Sequence, residues 1–120
     1  MAIALGHQHA GDDHVALDAL RINAHRPALA EVDEKTIPHE LDLLASAVHL
    51  SKGCYRGQET VAKVHNLGHP PRRLVLLHLD GSTHIHPEAG DSVVLLDEVA
   101  NADAAVKGRI TSVAQHHEMG

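Results

Sequence analysis

Residues 52–59 have the sequence KGCYRGQE, which contains the single cysteine and the single tyrosine of a 120-residue chain without Phe or Trp. Gly53 and Gly57 flank this pair and permit backbone conformations that other residues resist. The following residues, QETVAKVHNLG, predict a helix that ends at Gly68, because glycine favours the position just after a helix. The stretch is therefore predicted to be a glycine-flanked turn that leads into a helix.

The residues before this stretch predict helices and loops. Residues 1–11 are expected to be a loose lead-in, and Asp12 or Asp13 is expected to cap a helix that stops before Pro27. The apolar face of this helix is predicted from three residues spaced by three and four positions: Leu17, Leu20 and Ala24. Pro38 predicts a short helical turn.

After His69, Pro70 and Pro71 the pattern changes to strands. Three strands are predicted, in RRLVLLHLDG, SVVLLDEV and VKGRITSVAQ. The prediction is an α+β fold: residues 1–71 form a helical and loop segment with the KGCYRGQE stretch, and residues 72–120 form a partial antiparallel β-barrel.

Composition restricts the classes of function. The chain has 10 Lys and Arg against 16 Asp and Glu, a net charge of −6 with histidine neutral. This balance disfavours a broad surface for nucleic acid or anionic membrane. A single cysteine excludes an intramolecular disulfide. No transmembrane-length apolar run or signal peptide is recognised, so a soluble cytoplasmic protein is expected.

Cys54 is the first candidate site residue. Lys52, Arg56 and the start of a helix near Gln58 would all favour the thiolate if they lie close to the sulfur. The alternative is a buried structural cysteine, which is a common environment for free thiols. The residues alone leave both interpretations open.

Two further groups have alternative interpretations. Arg72 and Arg73 open the first predicted strand and form either an anion site or a solvated strand end. The 13 histidines include three close pairs, but none has the spacing of a helical metal motif. No metal site is therefore predicted at these pairs: His7 and His9, His84 and His86, His116 and His117.

KGCYRGQE resembles the K-G-C-Y-x-G-Q-E signature of the YgfZ family of folate-binding proteins, which are related to the glycine cleavage T protein. Four other stretches resemble this family in the same order: ALRI (19–22), TIPHE (36–40), VAKVHNLGHPPRRLV (61–75) and GRITSVA (108–114). The resemblance implies the C-terminal part of such a protein. The main folate-binding region and the closing strands of the barrel are then expected to lie outside this chain.

The resemblance implies a folate-binding protein that acts in iron–sulfur cluster assembly or repair and, through cluster enzymes, in tRNA modification. Cys54 is the expected key side chain, and the implied cofactor is tetrahydrofolate in a pocket that is incomplete here. The resemblance also implies iron–sulfur proteins or assembly factors as partners. No cluster need be bound by this chain, because one cysteine cannot supply the four thiolates of a usual cluster. The expected cofactor-binding residues are Glu40, Lys52, Tyr55, Gln58 and Arg73.

Two other functions stay open. The first is an aminomethyltransferase of the T-protein type, which transfers a one-carbon unit to tetrahydrofolate. The second is a histidine-rich metal-binding or interaction module. Whether the protein is an enzyme is left open at this point.

Overall fold

The structure is a computed structural model that describes residues 2–5, 13–79, 86–100 and 104–116. The helices are α1 (Asp13–Asn23), α2 (Leu44–Ala47) and α3 (Gln58–Leu67). The strands are β1 (Ala2–Leu5), β2 (Val75–His78), β3 (Ser92–Val93) and β4 (Gly108–Ala114). Short 3-10 turns lie at Leu29–Glu31, Pro38–Leu41 and Leu96–Glu98.

The two long helices confirm the predictions made from local start and stop signals. Helix α1 begins at Asp13 and ends ahead of Pro27. Helix α3 begins directly after Gly57, whose φ of 81° is in the left-handed region, and Gly68 caps its C-terminus. Glycine adopts both conformations without the steric cost that a Cβ atom would add.

The predicted apolar face of α1 is wrong. Leu17 and Leu20 are 65% and 54% exposed, whereas Ala19 and Ile22 are buried. Apolar residues occupy more than one face of this helix, so their spacing alone cannot identify the face that packs. The packing partners decide it, because Ala19 and Ile22 join a core cluster with Ala114 of β4.

The sheet has the strand order β2-β1-β4-β3. Strand β1 lies in its interior and pairs in parallel with β2 on one side and with β4 on the other. The prediction of a loose lead-in is therefore wrong for residues 2–5. A short apolar run such as AIAL suits an interior parallel strand, which has neighbours on both edges.

The mixture of helices and strands agrees with the predicted α+β class, but the predicted partial antiparallel barrel is found only as a small antiparallel pairing. Antiparallel pairing is confined to β3 and β4, where Val93 pairs with Gly108, and the described strands do not close on themselves. The stretch SVVLLDEV is extended only over Ser92–Val93 and then forms a 3-10 turn. Insertion of β1 between β2 and β4 makes the sheet mixed. The division of the chain at residue 71 stays a prediction.

The two faces of the sheet have different environments. Leu76 packs on the side of α1, whereas Val75 and Leu77 belong to a second cluster around Ile110 of β4, as the alternation of a strand requires. Several large aliphatic side chains stay exposed, among them Leu29 at 88%, Leu67 at 76% and Leu96 at 90%. None of the helices in the described ranges combines the length and apolarity needed to cross a bilayer.

Candidate functional site

A cavity of about 660 Å³ lies beside the thiol loop, which is defined as residues 51–57. Its walls come from two separate parts of the chain, residues 34–38 before α2 and residues 47–61, which begin at the last residue of α2. The term thiol-loop cavity is used for this space. Its lining residues are Glu34, Lys35, Thr36, Ile37, Pro38, Ala47, Val48, His49, Lys52, Tyr55, Arg56, Gly57, Thr60 and Val61.

Tyr55 and Lys52 are the two predicted site residues that line this cavity. The Lys52 Nζ atom lies 5.5 Å from the centroid of the Tyr55 ring, a distance at which a cation is attracted to the ring face. Lys35 and Arg56 add two more cations to the lining, and among the described lining residues Glu34 is the one carboxylate. This lining is therefore electropositive and includes the phenol ring of Tyr55.

Cys54 is a free and exposed thiol. This exposure excludes the interpretation of Cys54 as a buried structural cysteine. Its neighbour Tyr55 lines the thiol-loop cavity, whereas Cys54 itself does not. Only one of the two flanking glycines needs unusual backbone geometry: Gly57 has a positive φ, and Gly53 does not. The turn closes with a 3.2 Å hydrogen bond from the Gln58 amide to the Tyr55 carbonyl oxygen.

The structure does not bring the other predicted residues into this cavity. Gln58 is half-buried in the first turn of α3. Arg73 is exposed and lines a different space, a cavity of about 960 Å³ over the sheet. Glu40 is 2% exposed and lines neither cavity. Their proposed roles with a cofactor stay predictions.

Glu40 has a structural partner in Arg72. The Oε2 atom of Glu40 accepts hydrogen bonds from Arg72 Nη2 at 2.8 Å and Nε at 3.1 Å. The same guanidinium donates to both carboxylate oxygens of Asp33, at 2.7 and 3.1 Å. Leu74 then donates its amide to the Glu40 carbonyl at 2.8 Å. This arginine clamp, defined as Asp33, Glu40 and Arg72, ties the 3-10 turn at Pro38–Leu41 to the start of β2.

The charges of the clamp stabilise one another. The hydrogen bonds from Arg72, followed by that from the Thr36 hydroxyl, hold the pKa of Asp33 well below its usual range. The hydrogen bonds to Asp33 and Glu40 raise the pKa of Arg72 above its ordinary value. Both groups therefore stay charged at any physiological pH, and the clamp is an ion-pair network.

A second buried carboxylate joins α1 to the sheet. Glu31 is fully buried, and its Oε2 atom accepts hydrogen bonds from the Ala28 amide at 2.6 Å and from Arg21 Nη1 at 3.2 Å. Its Oε1 atom accepts a hydrogen bond from the Ser112 hydroxyl of β4. Three donors satisfy this carboxylate, as a buried charge requires. The sequence analysis did not single out Glu31.

Metal-binding groups are a separate question. Within the ranges that the structure describes, no three His, Cys, Asp or Glu side chains form a group that could hold a metal ion. Of the three histidine pairs, only His86 and His116 are in these ranges, and His7, His9, His84 and His117 lie outside the described residues. The absence of a metal site at the pairs stays a prediction.

Sequence reasoning also missed Lys35 and His49 as residues that line the thiol-loop cavity. A weak signal was present for Lys35, which directly precedes the TIPHE stretch that resembles the family. His49 lies in the poorly patterned segment between α2 and the thiol loop. The sequence does not place His49 at the cavity, because the two walls of the cavity meet only in the folded chain.

Comparison with curated proteins finds a partial relative. The chain is 38% identical to the tRNA-modifying protein YgfZ of Aliivibrio fischeri (strain MJ11) in an alignment of 71 positions that covers 55% of this chain. The match spans 22% of the length of that relative. No protein-family model and no solved structure matches the chain. The similarity supports a YgfZ-like relationship.

Proposed function

We propose that this chain carries the thiol-bearing part of a YgfZ-type protein that acts in iron–sulfur cluster assembly or repair and, through cluster enzymes, in tRNA modification. The similarity to YgfZ supports the type of protein. The observation that carries the chemistry is the position of an exposed Cys54 next to an electropositive cavity that contains Tyr55.

The lining of the thiol-loop cavity suits a ligand with flat rings and carboxylates. Tyr55 offers a ring face, on which an aromatic ligand gains stacking energy. Lys35, Lys52 and Arg56 are cations that would pair with carboxylates, and Glu34 can accept hydrogen bonds from ring N–H groups. Tetrahydrofolate has both features, in its pterin and benzoyl rings and its glutamate tail. A volume of about 660 Å³ is within the range of small-molecule sites.

The proposed ligand contacts therefore differ in part from those expected from the resemblance. Lys52 and Tyr55 keep the role of folate-binding residues, and Lys35 and Arg56 join them. Glu40 is engaged by Arg72, so its role is to hold the TIPHE turn against β2. Arg73 lines the cavity over the sheet instead.

Cys54 would act on a partner and not on a cluster resident in this chain. One thiol cannot hold a cluster of the usual type, but an exposed thiol can attack an electrophile or bind an iron atom of another protein for a short time. Iron–sulfur proteins or their assembly factors are therefore the proposed partners. The proposed site of action is the cytoplasm.

The folate part is tested by calorimetry with tetrahydrofolate on the whole chain. We expect weak binding, with a Kd of roughly 1 mM, because the cavity supplies few contacts besides one ring and three cations. Lys52→Glu should abolish the binding heat. Lys63→Glu is the matched control, since Lys63 is an exposed cation of α3 outside the cavity lining. No binding by the unmodified chain, or equal loss in both variants, would exclude this cavity as the folate site.

The thiol part is tested in cells that lack their own copy of the gene for this protein. Cys54→Ser keeps the size of the side chain and removes its nucleophilicity, so it should abolish support of iron–sulfur enzymes. Ser46→Ala, an exposed change on α2, should leave that support unchanged. Full activity of the Cys54→Ser protein would contradict the assigned role, whatever its affinity for folate.

A further inference from the structure

The face of the sheet opposite α1 carries the second cavity, of about 960 Å³, which is called the sheet-face cavity. Strand β2 alternates, so Val75 and Leu77 point to this side while Leu76 packs toward α1. The two cavities have no lining residue in common. The lining residues are His69, Pro70, Pro71, Arg72, Arg73, Val75, Leu77, Val93, Leu95, Val106, Lys107, Gly108 and Arg109.

The floor of the sheet-face cavity is aliphatic. Five Val and Leu side chains line it: Val75, Leu77, Val93, Leu95 and Val106. Leu95 is 48% exposed and Val106 is 62% exposed. The lining thus groups exposed aliphatic side chains in one concave space, which the aliphatic side chains of a partner could cover.

The rim of the sheet-face cavity has the opposite charge to the rest of the chain. Among the described residues, four cations and no Asp or Glu line it, although the whole chain has a net charge of −6. Arg72 is neutralised by its clamp partners, and Lys107 pairs with Glu98 at 3.1 Å. Arg109 forms no ion pair with any residue in the described part of the chain. The cavity thus offers uncompensated positive charge beside an aliphatic floor.

The cations and the aliphatic floor of the sheet-face cavity determine which kind of ligand can fit it. A nucleic acid would satisfy the cations, but the net charge of −6 disfavours one, and among the described lining residues only His69 offers a ring on which a base could stack. An extended polypeptide places alternate side chains on opposite sides, so aliphatic residues can cover the floor while carboxylates reach the rim. We propose that the sheet-face cavity is a docking site for an acidic, aliphatic segment of a partner protein. The proposal does not rest on the proposed function, because it concerns a different cavity.

The experiment measures binding of short synthetic peptides to the isotope-labelled whole chain by nuclear magnetic resonance titration. One peptide alternates Glu with Val and Leu, a second has Gln in place of each Glu, and a third has Lys. Only the Glu peptide should bind, with shifts at the amides of Val75, Leu77 and Arg109. Arg109→Glu should weaken this binding roughly tenfold, because like charges would then face each other.

Matched variants separate the cavity from the rest of the surface. Arg26→Glu reverses an exposed charge on the loop after α1 and should bind the Glu peptide as the unmodified chain does. Val106→Ser should weaken binding by about fivefold through loss of apolar contact. Val99→Ser should not, since Val99 has a similar exposure of 58% but lies outside the lining.

Four results would overturn the proposal. The first is no binding of the Glu peptide, and the second is equal binding of the Glu and Gln peptides. The third is displacement of the Glu peptide by a single-stranded RNA oligonucleotide that binds more tightly, which would identify a nucleic-acid site. The fourth is self-association in sedimentation experiments that Arg109→Glu abolishes, which would identify a second copy of this chain as the occupant.

Discussion

The arginine clamp and the thiol loop both contain residues from stretches that resemble the YgfZ family, yet the two regions differ in burial and in hydrogen bonding. The clamp has a buried carboxylate and a guanidinium whose donors are engaged by two acids. The thiol loop is exposed at Cys54 and Arg56 and is held by few hydrogen bonds. The arginine clamp therefore supports the fold, whereas the thiol loop leaves the Cys54 and Arg56 side chains exposed to solvent.

The two buried carboxylates connect distant segments of the chain. Glu31 and Glu40 are the buried acids of the described chain, and each links segments distant in sequence. Glu31 bonds to Ser112 of β4, and Glu40 bonds to Arg72, which precedes β2. Because the aliphatic core is small and lacks aromatic rings, these polar links are expected to carry an unusual share of the stability.

The largest expected effect is that of Glu31→Ala. It leaves the Ala28 amide, the Arg21 guanidinium and the Ser112 hydroxyl without their common acceptor. We expect a loss of about 3 kcal/mol in the free energy of unfolding, measured by urea denaturation with circular dichroism.

Glu34→Ala is the control for this prediction, because Glu34 is an exposed acid from the same segment. If Glu31→Ala does not fold, Glu31→Gln, which keeps one acceptor, should fold with an intermediate loss. Equal stabilities of the Glu31→Ala and Glu34→Ala proteins would show that the buried acid does not stabilise the fold.

The second effect is that of Arg72→Met, which leaves the buried Glu40 carboxylate unpaired. We expect a loss of about 2 kcal/mol, measured by the same denaturation. Lys63→Met, at an exposed position of α3, should change stability by less than about 0.5 kcal/mol. A larger loss for Lys63→Met than for Arg72→Met would contradict the assignment of the clamp.

These long-range links also show what the sequence can predict and what it cannot. Helices α1 and α3 were predictable because stop signals such as Pro27 and Gly68 act on neighbouring residues. Strand β1 was not, since a four-residue apolar run gives no sign of partners as distant as β2 and β4. The Glu31–Ser112 pair joins residues 81 positions apart, and no local pattern specifies such a pair.

The candidate site was predictable to a similar degree. Cys54, Lys52 and Tyr55 could be selected because their rarity and grouping are visible in one short stretch. Lys35 and His49 could not, because the wall they complete forms only when separate segments meet. Arg72 and Arg73 are adjacent in sequence and were equally plausible as ligands, and only the structure shows that Arg72 is engaged by two carboxylates.

The third effect is a dependence of stability on pH. The pKa of Asp33 is lower in the folded protein because of its hydrogen bonds with Arg72, so this group contributes stability above its unfolded pKa of about 3.9. The contribution is lost as the pH falls through the lower folded pKa.

Denaturation of Asp33→Asn across pH tests this dependence. The difference from the unmodified chain should be constant near neutral pH and shrink below about pH 4. Asp42→Asn is the control, because Asp42 is exposed and its left-handed backbone suits Asn. A difference for Asp33→Asn that grows on acidification would show that the ion pair with Arg72 does not stabilise the fold.

The smallest expected effect is that of Cys54→Ser, and it completes the comparison of the clamp with the thiol loop. An exposed thiol outside both cavities contributes little packing, so its replacement should change the unfolding free energy by less than about 0.5 kcal/mol. The native thiol should react fully with a disulfide reagent in the absence of denaturant. Gly57→Ala tests the geometry of the loop without changing the thiol. The positive φ of Gly57 should make this change lower the free energy of unfolding by about 1 kcal/mol. A loss for Cys54→Ser as large as that for Arg72→Met would place the thiol among the groups that hold the fold together, and the distinction between the two regions would then fail.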